Sequence, residues 1–280
     1  MYKYTIKTKI ILYIFYFILL LFFLVPIVYV VALSLKSADE VLLPVNLFNF
    51  WPKSFHFENF TTVLRMMPMT TYLGNSTKLV CSTVLGVLAI GFLSAYTLSR
   101  GKFKHKDVLL VGILFFQMIS PIIISIPLYS YYAKLGMLNT FSGIALIYIA
   151  LQLPFTTYQL KGTFDSIPFA LDEAASIDGC SRFGTLMRII IPVALPGVAS
   201  ATIFASINAW AQFIIPFFLI SDSKLYPVSV GILQAQGSYQ EISTHIISAA
   251  SVIGLFPAVL LVLFLQKFIL KALVVGSVKG

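Results

Sequence analysis

The sequence predicts an all-α integral membrane protein with six transmembrane helices, and three observations carry that prediction. Of its 280 residues, 59% are hydrophobic and only 10% are charged, against roughly 25% charged in a soluble domain. The apolar residues fall in blocks of about 20 or more, the length needed to cross a bilayer as a helix. The blocks contain no Asp, Glu, Lys or Arg. An ordinary soluble fold and a disordered chain are both excluded, since disorder needs low hydrophobicity and high charge.

The charge-free stretches are Ile10–Leu35, Leu79–Ser99, Val108–Ala133, Leu135–Leu160, Ile189–Ser221 and Ile242–Gln266. They place the spans at about 10–35, 75–99, 108–132, 142–160, 197–220 and 246–268, within one domain covering 1–280. The first stretch follows Lys3, Lys7 and Lys9 and ends near Ala32-Leu33-Ser34. Its apolar run exceeds the roughly 7–15 residues of a signal-peptide core, so it reads as a retained span. The fifth stretch is too long for one span and carries Pro192 and Pro196 near its start. Proline disfavours continuing a helix through it, so the membrane helix is expected to begin at about Gly197.

The net charge of +9 is explained by topology rather than by nucleic acid. Lys3, Lys7, Lys9, Arg100, Lys102, Lys104, Lys106, Lys161, Arg182, Arg188, Lys267, Lys271 and Lys279 fall on one side of the predicted spans. Lys36, Lys53, Arg65, Lys134 and Lys224 fall on the other, with Lys78 at a helix entrance. Thirteen against five puts both termini in the cytoplasm by the positive-inside rule. Cys81 and Cys180 then lie near opposite faces, with no metal-ligand spacing, so neither a disulfide nor a metal site is expected. Two outward segments are long, about 36–74 and 222–245. The first carries Phe48, Phe50, Trp51, Phe55, Phe57 and Phe60, aromatics suited to the membrane interface or to a partner.

All ten acids lie in loops or at span edges, whereas ion-coupled transporters generally hold ionisable residues at membrane depth. The interior polar groups are neutral: Gln117, Ser120, Gln152, Ser206, Asn208 and Gln212. Each fits a helix–helix hydrogen bond, and as a set they fit a route for an uncharged, hydroxyl-rich solute; the residues alone leave both readings open. Gln117, Gln152, Asn208 and Gln212 are the candidate pathway residues. Ala201, Ala205, Ala209 and Ala250, Gly254, Ala258 recur every fourth position, which permits close helix packing.

Residues 161–196 differ from their surroundings. Pro168 can open a short helix, with Asp172 and Glu173 near its positive dipole end and Gly179 as a left-handed stop. Ser181 can cap a second helix in which Phe183, Leu186, Met187 and Ile190 recur at helical spacing. An interfacial hairpin that only links two spans would look similar.

Glu173-Ala174-Ala175-Ser176-Ile177-Asp178-Gly179, followed by Ile189-Ile190-Ile191-Pro192, resembles the EAA loop of permease subunits in bacterial ABC importers. That pattern reads EAA, three residues, Gly, nine residues, then Ile-x-Leu-Pro, and Ile191 is its one departure here. The Ile-Asp-Gly form is similar to that of carbohydrate importers. Pro127-Leu128-Tyr129 with Leu135-Gly136-Met137-Leu138-Asn139-Thr140, and Trp51-Pro52 with Phe57-Glu58-Asn59-Phe60, resemble the family's outward segments. Gly276-Ser277-Val278-Lys279-Gly280 looks like the tail of the maltose-permease G-type subunits. Trp210-Ala211-Gln212-Phe213 departs from the Trp-Asn-Glu-Phe frequent in relatives.

The resemblance implies a type I ABC importer permease fold, one transmembrane permease domain with a cytoplasmic coupling helix, in the bacterial plasma (inner) membrane. It implies that Glu173, Ala174, Ala175, Asp178, Gly179 and Pro192 form the ATPase-coupling element. The implied partners are a homologous permease subunit, an ATP-binding subunit dimer, an extracellular solute-binding protein and membrane lipid. The implied solute is a sugar or oligosaccharide. The only Gly-Lys pair, Gly101-Lys102, is followed by Phe103, so the phosphate-cradling P-loop pattern is absent. ATP and Mg are accordingly expected on the partner ATPase, with no cofactor, metal or catalytic residue in this chain. A stand-alone secondary transporter, a non-transporting scaffold, and an importer of glycerol phosphate or polyamine are the competing readings.

Overall fold

The computed structural model describes residues 5–43, 49–102, 104–238 and 244–277. Lys3, Phe48, Phe103, Glu241, Ile242 and the end of the tail motif, Val278-Lys279-Gly280, lie outside them. Among the described residues there is no β-strand. The chain divides into two compact units, Met1–Met69 with Ile232–Phe256, and Thr70–Gly231 with Pro257–Gly280.

In the first unit, α1 (Ile6–Ser34) is capped by the Thr5 hydroxyl, which accepts from the Thr8 N–H. From Ile10 onward its residues are apolar on every face and almost all exposed, which suits lipid rather than water. Helix ends leave carbonyls without partners, and here a distant segment supplies donors. The buried Asn59 amide donates to the Ser34 and Lys36 carbonyls, both at 2.9 Å, and the His56 N–H donates to the Leu35 carbonyl at 3.0 Å. Asn59 sits in the first turn of α2 (Glu58–Met66). Beside it, the His56 imidazole lies between Ser54 Oγ (2.7 Å) and Glu58 Oε1 (2.5 Å), and that contact holds the Glu58 carboxyl below the usual carboxylate range.

The second unit takes in α3 (Met69–Arg100), α4 (Lys106–Phe115), α5 (Pro121–Lys134) and α6 (Phe141–Asp165). It continues through α7 (Ala170–Ile177), α8 (Arg182–Val193), α9 (Leu195–Ala211), α10 (Ile214–Leu219) and the start of α11 (Val228–Ser238). The last helix is α12 (Thr244–Ser277), whose first part belongs to the first unit. Single helices long and apolar enough to cross a membrane are α1, α3, α6 and the Thr244–Phe264 part of α12. The bent pair α8 and α9 would make a fifth span.

Two predicted spans are interrupted. The third, expected as one helix over 108–132, is α4, a 3₁₀ turn at Phe116–Met118, and α5. Pro121 forces its predecessor out of the helical region, and Ser120 is indeed extended (φ −60°, ψ 133°). The fifth, expected over 197–220, breaks at Gln212 (φ −65°, ψ 122°) between α9 and α10. Pro216 has no N–H to return to the Gln212 carbonyl and its ring crowds that oxygen.

The core of the second unit includes Ala95 of α3, Leu160 and Phe164 of α6, Ile167, Leu186 and Ile190 of α8, Ala194, and Ala201 of α9. Glycine at 197 lets α9 approach α6 there, since a side chain would overlap Thr163. The stripe Ala201, Ala205 and Ala209 is buried, the close-packed face its spacing predicts.

Candidate functional site

Helix interruptions build a cavity of about 460 Å³ in the second unit. Gln117 comes from the 3₁₀ turn between α4 and α5, Gln152 from α6 two residues before Pro154, Asn208 from the end of α9, and Gln212 from the break after it. All four line the cavity, so the four amides singled out in the sequence share one space. Non-helical backbone at membrane depth is tolerated where it lines a cavity.

The freed Gln212 carbonyl is not left bare. The Ser229 hydroxyl donates to it at 2.9 Å and the Tyr148 hydroxyl at 3.4 Å. The break is therefore held open by specific donors, as buried carbonyls require. The Gln117 amide N–H donates to the Leu151 carbonyl (2.8 Å) and that of Asn208 to the Phe204 carbonyl (2.8 Å), which leaves both amide oxygens as acceptors. The Gln152 and Gln212 side chains make no hydrogen bond among the described residues, so they keep donor and acceptor capacity. No charged side chain lines the cavity, and taking an ion from water into such a space is costly. The chemistry on offer is neutral hydrogen bonding beside the Phe155 and Phe204 rings, whose centroids lie 4.3 Å apart. Tyr148, Phe155 and Phe204 were not singled out in the sequence, because an aromatic in an apolar run carries no signal that distinguishes it from core.

The second feature is α7 and the turn behind it. Its first helical residue is Ala170 rather than Pro168, whose carbonyl instead accepts from the Leu171 N–H (3.2 Å). Asp172 and Glu173 occupy the first turn and diverge. Asp172 points inward, accepting from the Tyr96 hydroxyl (2.6 Å) and lying 3.0 Å from Arg100 Nε. That Arg100 contact has the separation of an ion pair without the alignment of a hydrogen bond. Arg100 also donates to the Ile167 carbonyl at 3.1 Å and lies over the Phe169 ring. Glu173 is exposed and borders a 440 Å³ pocket with Arg100, Ser176, Cys180 and Arg182. Ala174 is exposed, whereas Ala175, which the resemblance places with it in the coupling element, is buried at 2% against this chain itself. Ile177 stands 86% exposed.

The helix ends at Asp178 and then Gly179, with φ +78°. The Gly179 N–H donates to the Ser176 carbonyl and the Cys180 N–H to the Ala175 carbonyl, the paired bonds of a Schellman stop. Ser181 caps α8, accepting from the Gly184 N–H at 3.1 Å. Of the expected apolar face, Leu186 and Ile190 are buried while Phe183 and Met187 are exposed. A π-turn at Leu186–Ile190 precedes Pro192, and the chain then bends by 84° between α8 and α9.

Helices long and apolar enough to cross a membrane, with an uncharged cavity at their breaks, fit a membrane transport component. Residues 86–275 match the family described as the binding-protein-dependent transport system inner membrane component, and the chain belongs to that family. It is 33% identical over 258 residues to the sulfoquinovosyl glycerol transport system permease protein of Agrobacterium fabrum, covering 92% of this chain and 89% of that one. It is 34% identical over 225 residues to the trehalose/maltose transport system permease protein of Thermococcus litoralis, covering 80% and 81%. Its fold matches a bacterial ABC transporter involved in the import of the acidic polysaccharide alginate, with TM-score 0.77 at 21% identity over 95% of this chain and 99% of that one. The chain is thus a multi-pass inner-membrane component of a transport system with the ABC importer permease fold, and not an enzyme.

Proposed function

We propose that this subunit forms half of the translocation pathway for a neutral sugar or short oligosaccharide, the other half coming from a homologous permease. A separate ATPase dimer binds ATP and Mg and drives the cycle, and an extracellular solute-binding protein delivers the solute. The observation that carries the reading is the cavity where Gln117, Gln152, Asn208 and Gln212 meet with no charge among them. Hydroxyl-rich solutes exchange hydrogen bonds with such amides at little desolvation cost. The relative named for trehalose/maltose transport supports a neutral sugar, and the one named for sulfoquinovosyl glycerol transport, whose solute carries a sulfonate, supports a sugar as such.

In this reading α7 is the coupling helix. Glu173 pairs with a cation on the ATPase, Ala174 allows close approach, and Asp178, Gly179 and Pro192 shape the turn and the bent helix behind it. The termini are cytoplasmic and the spans are six, with α4 and α5 forming a broken third and α9 and α10 a broken fifth. The test is uptake of labelled oligosaccharides by the complex purified from its native membrane and reconstituted in liposomes. Gln152→Ala and Gln212→Ala should each lower uptake while the complex stays assembled. Unchanged uptake in both would remove the cavity from the pathway.

A further inference from the structure

We infer that the cleft between α3, α4 and α6 is a binding site for an anionic phospholipid, with one acyl chain in the cleft and the headgroup on the α3–α4 loop. The cleft encloses about 590 Å³ and is walled by Leu93, Leu98, Leu109, Leu110, Ile113 and Leu153, with Ala150 and Pro154 behind and three hydroxyl side chains. It lies apart from the amide cavity's polar groups; the two share only Ala150 and Pro154.

Its position along the helices identifies the occupant. Leu98 lies two residues before the end of α3, and Leu109 three residues after the start of α4. The apolar wall therefore begins at the loop and descends about 10 Å into the bundle, from Arg100 to Leu93 at 1.5 Å per residue. Leu93, Leu109 and Ile113 keep 49%, 49% and 37% of their surface exposed, on helices whose surroundings are hydrocarbon.

The loop above the wall carries Arg100, Lys102, Lys104, His105 and Lys106 against one acid, Asp107. Arg100 is turned inward by Asp172, and the charge of Lys106 acts on the Asp165 carboxylate, which Lys161 and Ser99 engage directly. Lys102 and Lys104 are exposed and make no ion pair among the described residues. Basic clusters at the end of a membrane helix attract anionic lipid. Here the cluster stands directly over a slot for an acyl chain, and that combination favours a diacyl anionic lipid over a soluble phosphate compound.

The experiment uses the assembled complex in nanodiscs, with Trp51 and Trp210 replaced by Phe. A reporter tryptophan is placed in the cleft (Leu109→Trp) or on an exposed α5 face outside it (Ile123→Trp). Quenching by dibrominated phosphatidylglycerol is compared with that by dibrominated phosphatidylcholine. The Leu109→Trp reporter should prefer phosphatidylglycerol by about five-fold or more, the attraction of one lysine near a surface. Lys102→Gln with Lys104→Gln should abolish that preference, and Ile123→Trp should show none. Equal quenching by both lipids at Leu109→Trp, or a preference that survives the lysine changes, overturns the proposal. Absence of quenching by either lipid also overturns it, because a protein partner then covers the cleft.

Discussion

Arg100, the last residue of α3, and Asp172, in the first turn of α7, meet at 3.0 Å with side chains 13% and 9% exposed. The pair joins a membrane-length helix to the short helix outside it, and the Tyr96 hydroxyl donates to the same carboxylate. A rigid lever needs such a joint, because a loose loop would absorb motion rather than pass it on. Removing one partner of a mostly buried pair strands the other, at about 3–5 kcal/mol. Arg100→Ala and Asp172→Ala should each lower the thermal midpoint and the uptake per ATP hydrolysed, with Tyr96→Phe milder. A double variant no worse than either single would measure the coupling; full additivity would mean that the two residues act independently.

Gly179 should tolerate asparagine far better than alanine. At φ +78° a Cβ is penalised by roughly 1–2 kcal/mol, while asparagine accepts left-handed backbone more readily. Nothing lies within 4 Å of where a Cβ would stand, so the effect is conformational rather than steric. ATPase retention after purification reads it. Equal retention for Gly179→Ala and wild type would show that the stop is not needed.

Pro216→Ala should restore the missing N–H and let α9 continue toward α10. The Gln212 carbonyl would then exchange its Ser229 and Tyr148 donors for a helical bond, and the cavity would lose one side. Uptake should fall about ten-fold or more, the effect of about 1.4 kcal/mol on the barrier, at an unchanged protein level. Normal uptake would mean that the break has no part in the pathway.

The orientation follows from charge counting alone and can be checked by labelling. With Cys81 and Cys180 replaced, single cysteines at Lys104 and Ser176 should be shielded from a membrane-impermeant thiol reagent in intact cells. One at Ser54 should react. The opposite pattern would invert the topology.

Much of the site was legible because its signals are local. Gly179 and Ser181 occupy positions that a left-handed stop and an N-cap demand, and the break near Pro192 and Pro196 follows from missing donors. The four amides stood out because neutral polar groups are sparse in apolar runs. The third span was read through Pro121 because hydropathy continues across it, although the proline had already limited Ser120. The break at Gln212 is caused four residues downstream, by Pro216. The ion pair was hidden for a different reason: Arg100 looked like one more positive charge at a span end, and no periodicity links it to a carboxylate in another segment. Ala175 shows the converse, since its role in facing inward depends on what lies behind α7.

In the proposed function, α7 hands an ATPase's motion to the cavity through Glu173, the exposed acid of its first turn. The most direct test is Glu173→Ala in the complex purified gently from native membrane, with ATPase content and solute uptake measured beside wild type. Loss of a charge-assisted interface contact of about 2–5 kcal/mol should strip most of the ATPase and reduce uptake at least about ten-fold. The amount of this chain in the membrane should not change, because Glu173 lies outside every span. Wild-type uptake with the ATPase still attached would contradict the account and leave α7 as a linker.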